Sequence, residues 1–105
     1  MSNQKVIDAL KEGGDDLSQP RKADHWIYFK SPKDLDAFVN AIRNENFHIE
    51  SSDLISANEF PFQLHISRMD YVDLMSINKV TMLLRETAKL HGGDYDGWES
   101  PIIKK

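Results

Sequence analysis

Apolar positions along this chain repeat with two periods, one helical and one alternating. Val6, Ile7 and Leu10 share one face of a short helix over 3–12, which Gly13-Gly14 stops. Residues 13–24 are polar, carry Pro20 and read as a connecting loop. His25-Trp26-Ile27-Tyr28-Phe29-Lys30 is dense in aromatic and β-branched residues and reads as a strand. Ser31-Pro32-Lys33-Asp34 then supplies an N-cap, a proline at the first helical position and an acid at the third. Leu35, Phe38, Val39 and Ile42 carry that helix forward until it fades around Asn44-Glu45-Asn46.

Phe47-His48-Ile49-Glu50 alternates as a half-buried strand does, and Ser51–Glu59 reads as its continuation or a turn, broken by Phe60-Pro61. Phe62-Gln63-Leu64-His65-Ile66-Ser67-Arg68 is the cleanest alternation, with Phe62, Leu64 and Ile66 facing inward. The longest helix is predicted to start at Asp70 and Asp73 and to run to about Leu90, where Gly92-Gly93 ends it. Asp94–Trp98 forms a last strand, with a bulge or turn at Asp96-Gly97 between Tyr95 and Trp98. The two Gly-Gly-Asp segments, at 13–15 and 92–94, mark two similar helix exits.

Strand, helix, strand, strand, helix, strand is the order after the first helix. It predicts an α+β fold of the ferredoxin-like βαββαβ kind: a four-stranded antiparallel sheet, two helices on one face, and an additional N-terminal helix. A single domain over 1–105 follows, with the ferredoxin-like core at 25–101. The other sheet face must then be covered by the first helix, by a partner or by water.

Composition shapes what that surface meets. Seventeen acids against 13 bases give a formal net charge of −4, which works against nonspecific phosphate binding. The strongest basic cluster, Pro20-Arg21-Lys22, is diluted by Asp15, Asp16 and Asp24, and the terminal Lys104-Lys105 reads as a solvated end. Without a cysteine there is neither a disulfide nor a thiolate nucleophile. No apolar run approaches the ~20 residues that span a bilayer, and Met1–Lys5 opens no signal peptide, so a cytoplasmic protein is expected.

Chemistry-bearing residues form no familiar constellation. His25, His48, His65 and His91 lack the close helical spacing of a zinc motif, and no metal or other cofactor is expected. Asp94-x-Asp96-Gly97 opens like a calcium loop, but Trp98-Glu99-Ser100-Pro101 is too short to complete one. Arg68 sits in the inward phase of its strand and should seek an acid among Asp70, Asp94 and Asp96; a ligand-binding arginine is the alternative. On the long helix Val72, Val80, Leu83, Leu84 and Leu90 gather as core, leaving Tyr71, Met75 and Met82 on a second apolar stripe. Either the first helix covers that stripe or a partner does.

Several segments resemble one family. Gly14-Asp15-Asp16-Leu17, Pro20-Arg21 and His25–Phe29, then Asp36 with Phe38, Asn46-Phe47 and Ser67-Arg68-Met69-Asp70, are similar to the RraB family of ribonuclease E inhibitors. Gly93-Asp94-Tyr95-Asp96-Gly97-Trp98 is the most specific match. The chain looks like a short form, without the long acidic extensions that flank this core in the members named for the ribonuclease. The resemblance implies a ferredoxin-like fold, no catalysis, and a protein that binds and restrains an RNA-degrading enzyme.

The expectation is therefore a non-catalytic interaction module that docks on a basic segment of such an enzyme and competes with RNA there. Asp15, Asp16, Asp94 and Asp96 are the candidate acids, Tyr95 and Trp98 the candidate aromatic anchors, and Tyr71, Met75 and Met82 a candidate apolar contact. Trp98 has the alternative of closing the core at the sheet edge. A monomer is expected, with homodimerisation through an open sheet face or the methionine stripe as the alternative. The competing function is a single-stranded RNA binder whose Trp26, Tyr28 and His65 stack bases; the acidic balance makes nucleic acid the less favoured partner.

Overall fold

The computed structural model describes residues 3–55 and 58–104. Met1-Ser2, Ser56-Ala57 within the 51–59 expectation, and Lys105 of the lysine end lie outside them. The elements are α1 (Asn3–Glu12), β1 (Arg21–Phe29), α2 (Pro32–Ala41), β2 (His48–Leu54), β3 (Phe62–Asp70), α3 (Leu74–Leu90) and β4 (Gly93–Glu99). The strands form one sheet in the order β2-β3-β1-β4. Every neighbouring pair is antiparallel. That order is compatible with the predicted ferredoxin-like arrangement, and it places β1 and β3 centrally with β2 and β4 at the edges.

Local signals set most boundaries. The Ser31 hydroxyl accepts from the Asp34 amide at 3.2 Å, and Pro32 opens α2. Asp73 caps α3 in the same way, accepting from the Ser76 amide at 3.1 Å. Helix α2 gives way after Ala41 to a 3-10 turn at Arg43–Glu45, closed by Asn46 in the left-handed region. Both Gly-Gly exits use positive φ, at Gly14 (84°) and Gly92 (69°).

The starts of β1 and α3 differ from expectation. Strand β1 begins at Arg21 rather than His25, because Arg21 and Ala23 already share the buried phase of the strand. Strand β2 runs on to Leu54, paired with Phe62. Asp70 belongs to β3, opposite Arg21, so Asp73 alone caps α3.

The core lies between one sheet face and the helices. Ile27, Phe29, Leu64 and Ile66 meet Leu35, Phe38 and Ile42 on one side, and Val80, Leu84 and Ala88 on the other. A second cluster joins Ile7 and Leu10 of α1 to Val72 and Ile77, with Val6, Leu17 and Trp98 packed against it. Helix α1 thus extends the helical layer beside α3. The predicted core stripe of α3 is corrected by this packing. Ile77, Val80, Thr81, Leu84 and Ala88 are its buried positions. Leu83 is half-buried and Leu90 is 81 % exposed, since Leu90 lies about 200° around the helix from Ala88. Among the described residues no helix is long and apolar enough to cross a membrane.

Candidate partner surface on the open sheet face and the β4 edge

Alternation along the central strands decides which side chains remain available. Ala23, His25, Ile27 and Phe29 are buried, whereas Lys22, Asp24, Trp26 and Tyr28 point to the opposite face and retain solvent contact. Register brings partners to each: Lys22 faces Met69, Asp24 faces Ser67, Trp26 faces His65 and Tyr28 faces Gln63. On β4, Glu99 faces Asp24 and Asp94 faces Tyr28. The result is a polar face with aromatic planks along its middle.

The side chains of this face are tied to one another. Trp26 and His65 stack with ring centroids 4.5 Å apart and planes 15° apart. His65 Nε2 lies 2.8 Å from Asp24 Oδ1, and Gln63 Nε2 donates to the Tyr28 hydroxyl at 2.8 Å. Lys22 donates to Glu50, which also meets His48 Nε2 at 3.1 Å. That lysine contact holds the Glu50 carboxyl below its ordinary value and raises Lys22. On the opposite, inward phase of β3, Arg68 donates from Nε to Asp70 at 2.9 Å and lies over the Phe47 ring at 4.3 Å. Of its three candidate acids, Asp70 is the one it pairs with.

Strand β4 carries the expected bulge. Tyr95 pairs with Ile27 and Gly97 with Trp26, leaving Asp96 as the extra residue. The insertion resets the alternation, so Tyr95 and Trp98 both turn toward the helical layer while Asp94, Asp96 and Glu99 stay exposed. Tyr95 shares a 2.8 Å hydrogen bond with His25 Nδ1. Burial raises the Tyr95 phenol above its ordinary value and pushes His25 down to about 4. Trp98 donates from Nε1 to Asn3 Oδ1 at 3.0 Å and closes the second cluster, the alternative foreseen for it. Beside them a cleft of about 230 Å³ opens at the β4 edge, lined among others by Trp26, Arg85, Tyr95, Asp96 and Glu99.

The remaining candidates do not join one site. Asp15 is a correction: it is 5 % exposed, and its Oδ2 accepts from Arg21 Nη1 at 2.5 Å and from the Ile103 amide at 3.3 Å. A carboxylate sealed in this way offers no charge to a partner. Asp16 is half-exposed and accepts from the amide and hydroxyl of Ser18. Tyr71, Met75 and Met82 are 49 %, 77 % and 57 % exposed, so α1 does not cover the methionine stripe. Tyr71 precedes α3 altogether.

Residues 1–100 match the profile of the family described as Regulator of ribonuclease activity B. The chain belongs to the RraB family. No curated protein matches it. One solved structure, titled "Crystal structure of PH0061", aligns at 16 % identity over 97 % of this chain and 70 % of its own, with a TM-score of 0.47. At that similarity it adds nothing to the fold described above.

RraB membership indicates a regulator of ribonuclease activity. At the β4 edge Asp94, Asp96 and Glu99 are exposed, whereas Asp15 is buried. Among the described residues, Asp24, Glu50 and His65 form a grouping that sequence spacing could not show, with donor atoms within 4.8 Å of one another. They come from three strands, and the register shift between Ile49 and Ser51 makes Glu50 the extra residue on β2.

Proposed function

We propose that this RraB-family protein is a cytoplasmic, monomeric inhibitor that occupies a basic, RNA-binding segment of ribonuclease E or a related RNA-processing enzyme. The observation that carries the reading is the β4 edge, where Asp94, Asp96 and Glu99 are exposed beside the aromatic cleft of Trp26 and Tyr95. Acids of one sign steer a basic chain toward the edge, and an aromatic wall accepts a lysine or arginine head group. The bulge at Asp96-Gly97 supplies both, since it exposes Asp96 while turning Tyr95 and Trp98 the other way. Inhibition is then competitive: the segment that holds RNA is held instead by the acidic edge.

Direct RNA binding by the sheet face is the weaker reading. Trp26 and His65 stack on each other rather than standing free for bases, and Asp24, Glu50, Asp94 and Glu99 surround them. The test is a titration of the purified basic segment of ribonuclease E with wild type and the Asp94→Lys/Asp96→Lys/Glu99→Lys variant. Saturable binding that weakens with salt and is lost in the variant supports the proposal. Equal binding by both proteins removes the β4 edge from the interface.

A further inference from the structure

We infer that Asp24, Glu50 and His65 form a Zn²⁺ site on the open sheet face, with the Lys22 ammonium holding the cation position when the metal is absent. The donor set is mixed. Two carboxylate oxygens and an imidazole nitrogen lie within 4.8 Å of one another. Such an N/O combination suits zinc better than calcium or magnesium, which favour oxygen alone.

Geometry supports the assignment beyond proximity. Donors around a tetrahedral zinc ion stand roughly 3.3 Å apart, given metal–ligand distances near 2 Å. His65 Nε2 and Asp24 Oδ1 are already 2.8 Å apart, so a small widening on that side and an approach by Glu50 complete three ligands. The His65 ring is held by its stack on Trp26, which does for the imidazole what a second layer of contacts does in metal sites. His48 Nε2, 3.1 Å from the Glu50 carboxylate, brings a second imidazole to the same cluster.

Lys22 explains how the cluster stands without a metal. Its ammonium contacts Glu50 and lies 3.8 Å from Asp24 Oδ1, so a monovalent cation already sits among the carboxylates. The side chain is about half exposed on a flexible stem and can swing into solvent without uncovering core. A divalent ion with direct bonds to oxygen and nitrogen then replaces one positive charge with two. Lys22 thereby sets the affinity: it competes for both carboxylates while contributing no ligand.

Calorimetric titration of Zn²⁺ alone into the full chain tests the site, with ¹H–¹⁵N spectra to locate it. Wild type should bind one ion and shift the Trp26 indole signal. His65→Asn and Glu50→Gln should each weaken binding roughly tenfold or more, His91→Asn should leave it unchanged, and Lys22→Met should tighten it by about tenfold. Absence of saturable binding in wild type overturns the site, even if Lys22→Met binds. So does binding that survives both His65→Asn and Glu50→Gln, which would place the ion elsewhere.

Discussion

Arg21 and Asp15 form an ion pair sealed from solvent, with side chains 1 % and 0 % exposed and Nη1 2.5 Å from Oδ2. The guanidinium also donates to the carbonyls of Asp16, Gln19 and Pro101, so one side chain ties the α1–β1 connection to the C-terminal segment. Removing one partner leaves the other charge buried. Asp15→Ala should therefore cost about 3–5 kcal/mol in urea unfolding, whereas Arg21→Met with Asp15→Leu should recover most of that loss. Arg21 also holds the Asp15 carboxyl below its ordinary value. Its contribution is present above the unfolded carboxyl pKa and is lost as acid protonates the native group.

His25 gives the pH profile a second slope at higher pH. Burial, with repulsion from Arg68, pushes the ring down to about 4, while Asp24 acts in the opposite direction and His65 with Arg68. Its Nε2 meets no hydrogen-bond partner among the described residues. The unfolded state therefore takes up the proton first. Stability should be full above about pH 6.5 and fall by about 3 kcal/mol by pH 4, through this residue alone. Urea midpoints at pH 7, 5.5 and 4 in wild type and His25→Gln measure it: the variant should lose less on acidification.

What the sequence revealed and what it hid divide along range in the chain. The Ser31-Pro32 start, the Asp73 cap and the Asp96-Gly97 bulge were legible because each depends on a few adjacent residues. The early start of β1 was not, because Arg21 is inward only through Asp15 and the carbonyl of Pro101. A charged residue after a proline reads as loop until its distant partner is known. The Asp24–Glu50–His65 cluster was hidden for a similar reason: it needs the β2-β3-β1 order and an extra residue on β2. The tie between Tyr95 and His25 is hidden for the same reason, since it lies across a strand pair.

Gly93 tests how closely β4 approaches the core. A Cβ built there meets the Phe29 ring at 2.5 Å, well inside contact distance. Phe29 is fully buried and tilted against Phe38 at 5.3 Å, so it has little room to yield. Gly93→Ala should cost about 1–3 kcal/mol by overpacking. At Gly14 a Cβ meets nothing, and Gly14→Ala should cost about 1 kcal/mol through the 84° φ alone. A further loss of near-ultraviolet aromatic circular dichroism in Gly93→Ala only would tie its cost to the Phe29 ring.

Tyr95 and its exposed neighbours should separate stability from binding. The Tyr95 hydroxyl meets His25 inside the protein, and its ring packs against the main core with Arg85 5.6 Å above it. Tyr95→Phe removes a partly buried hydrogen bond and should cost about 1 kcal/mol of stability while leaving partner affinity nearly unchanged. Asp94 and Asp96 are exposed on either side of it. Asp94→Lys/Asp96→Lys should hold stability within about 0.5 kcal/mol. The same variant should slow association with the basic ribonuclease segment, most strongly at low salt, because exposed charges act chiefly on encounter. Association rates at two salt concentrations, beside urea midpoints for both variants, decide the assignment. If Tyr95→Phe lowers affinity and the lysine pair does not, the Tyr95 hydroxyl rather than the acidic edge carries recognition.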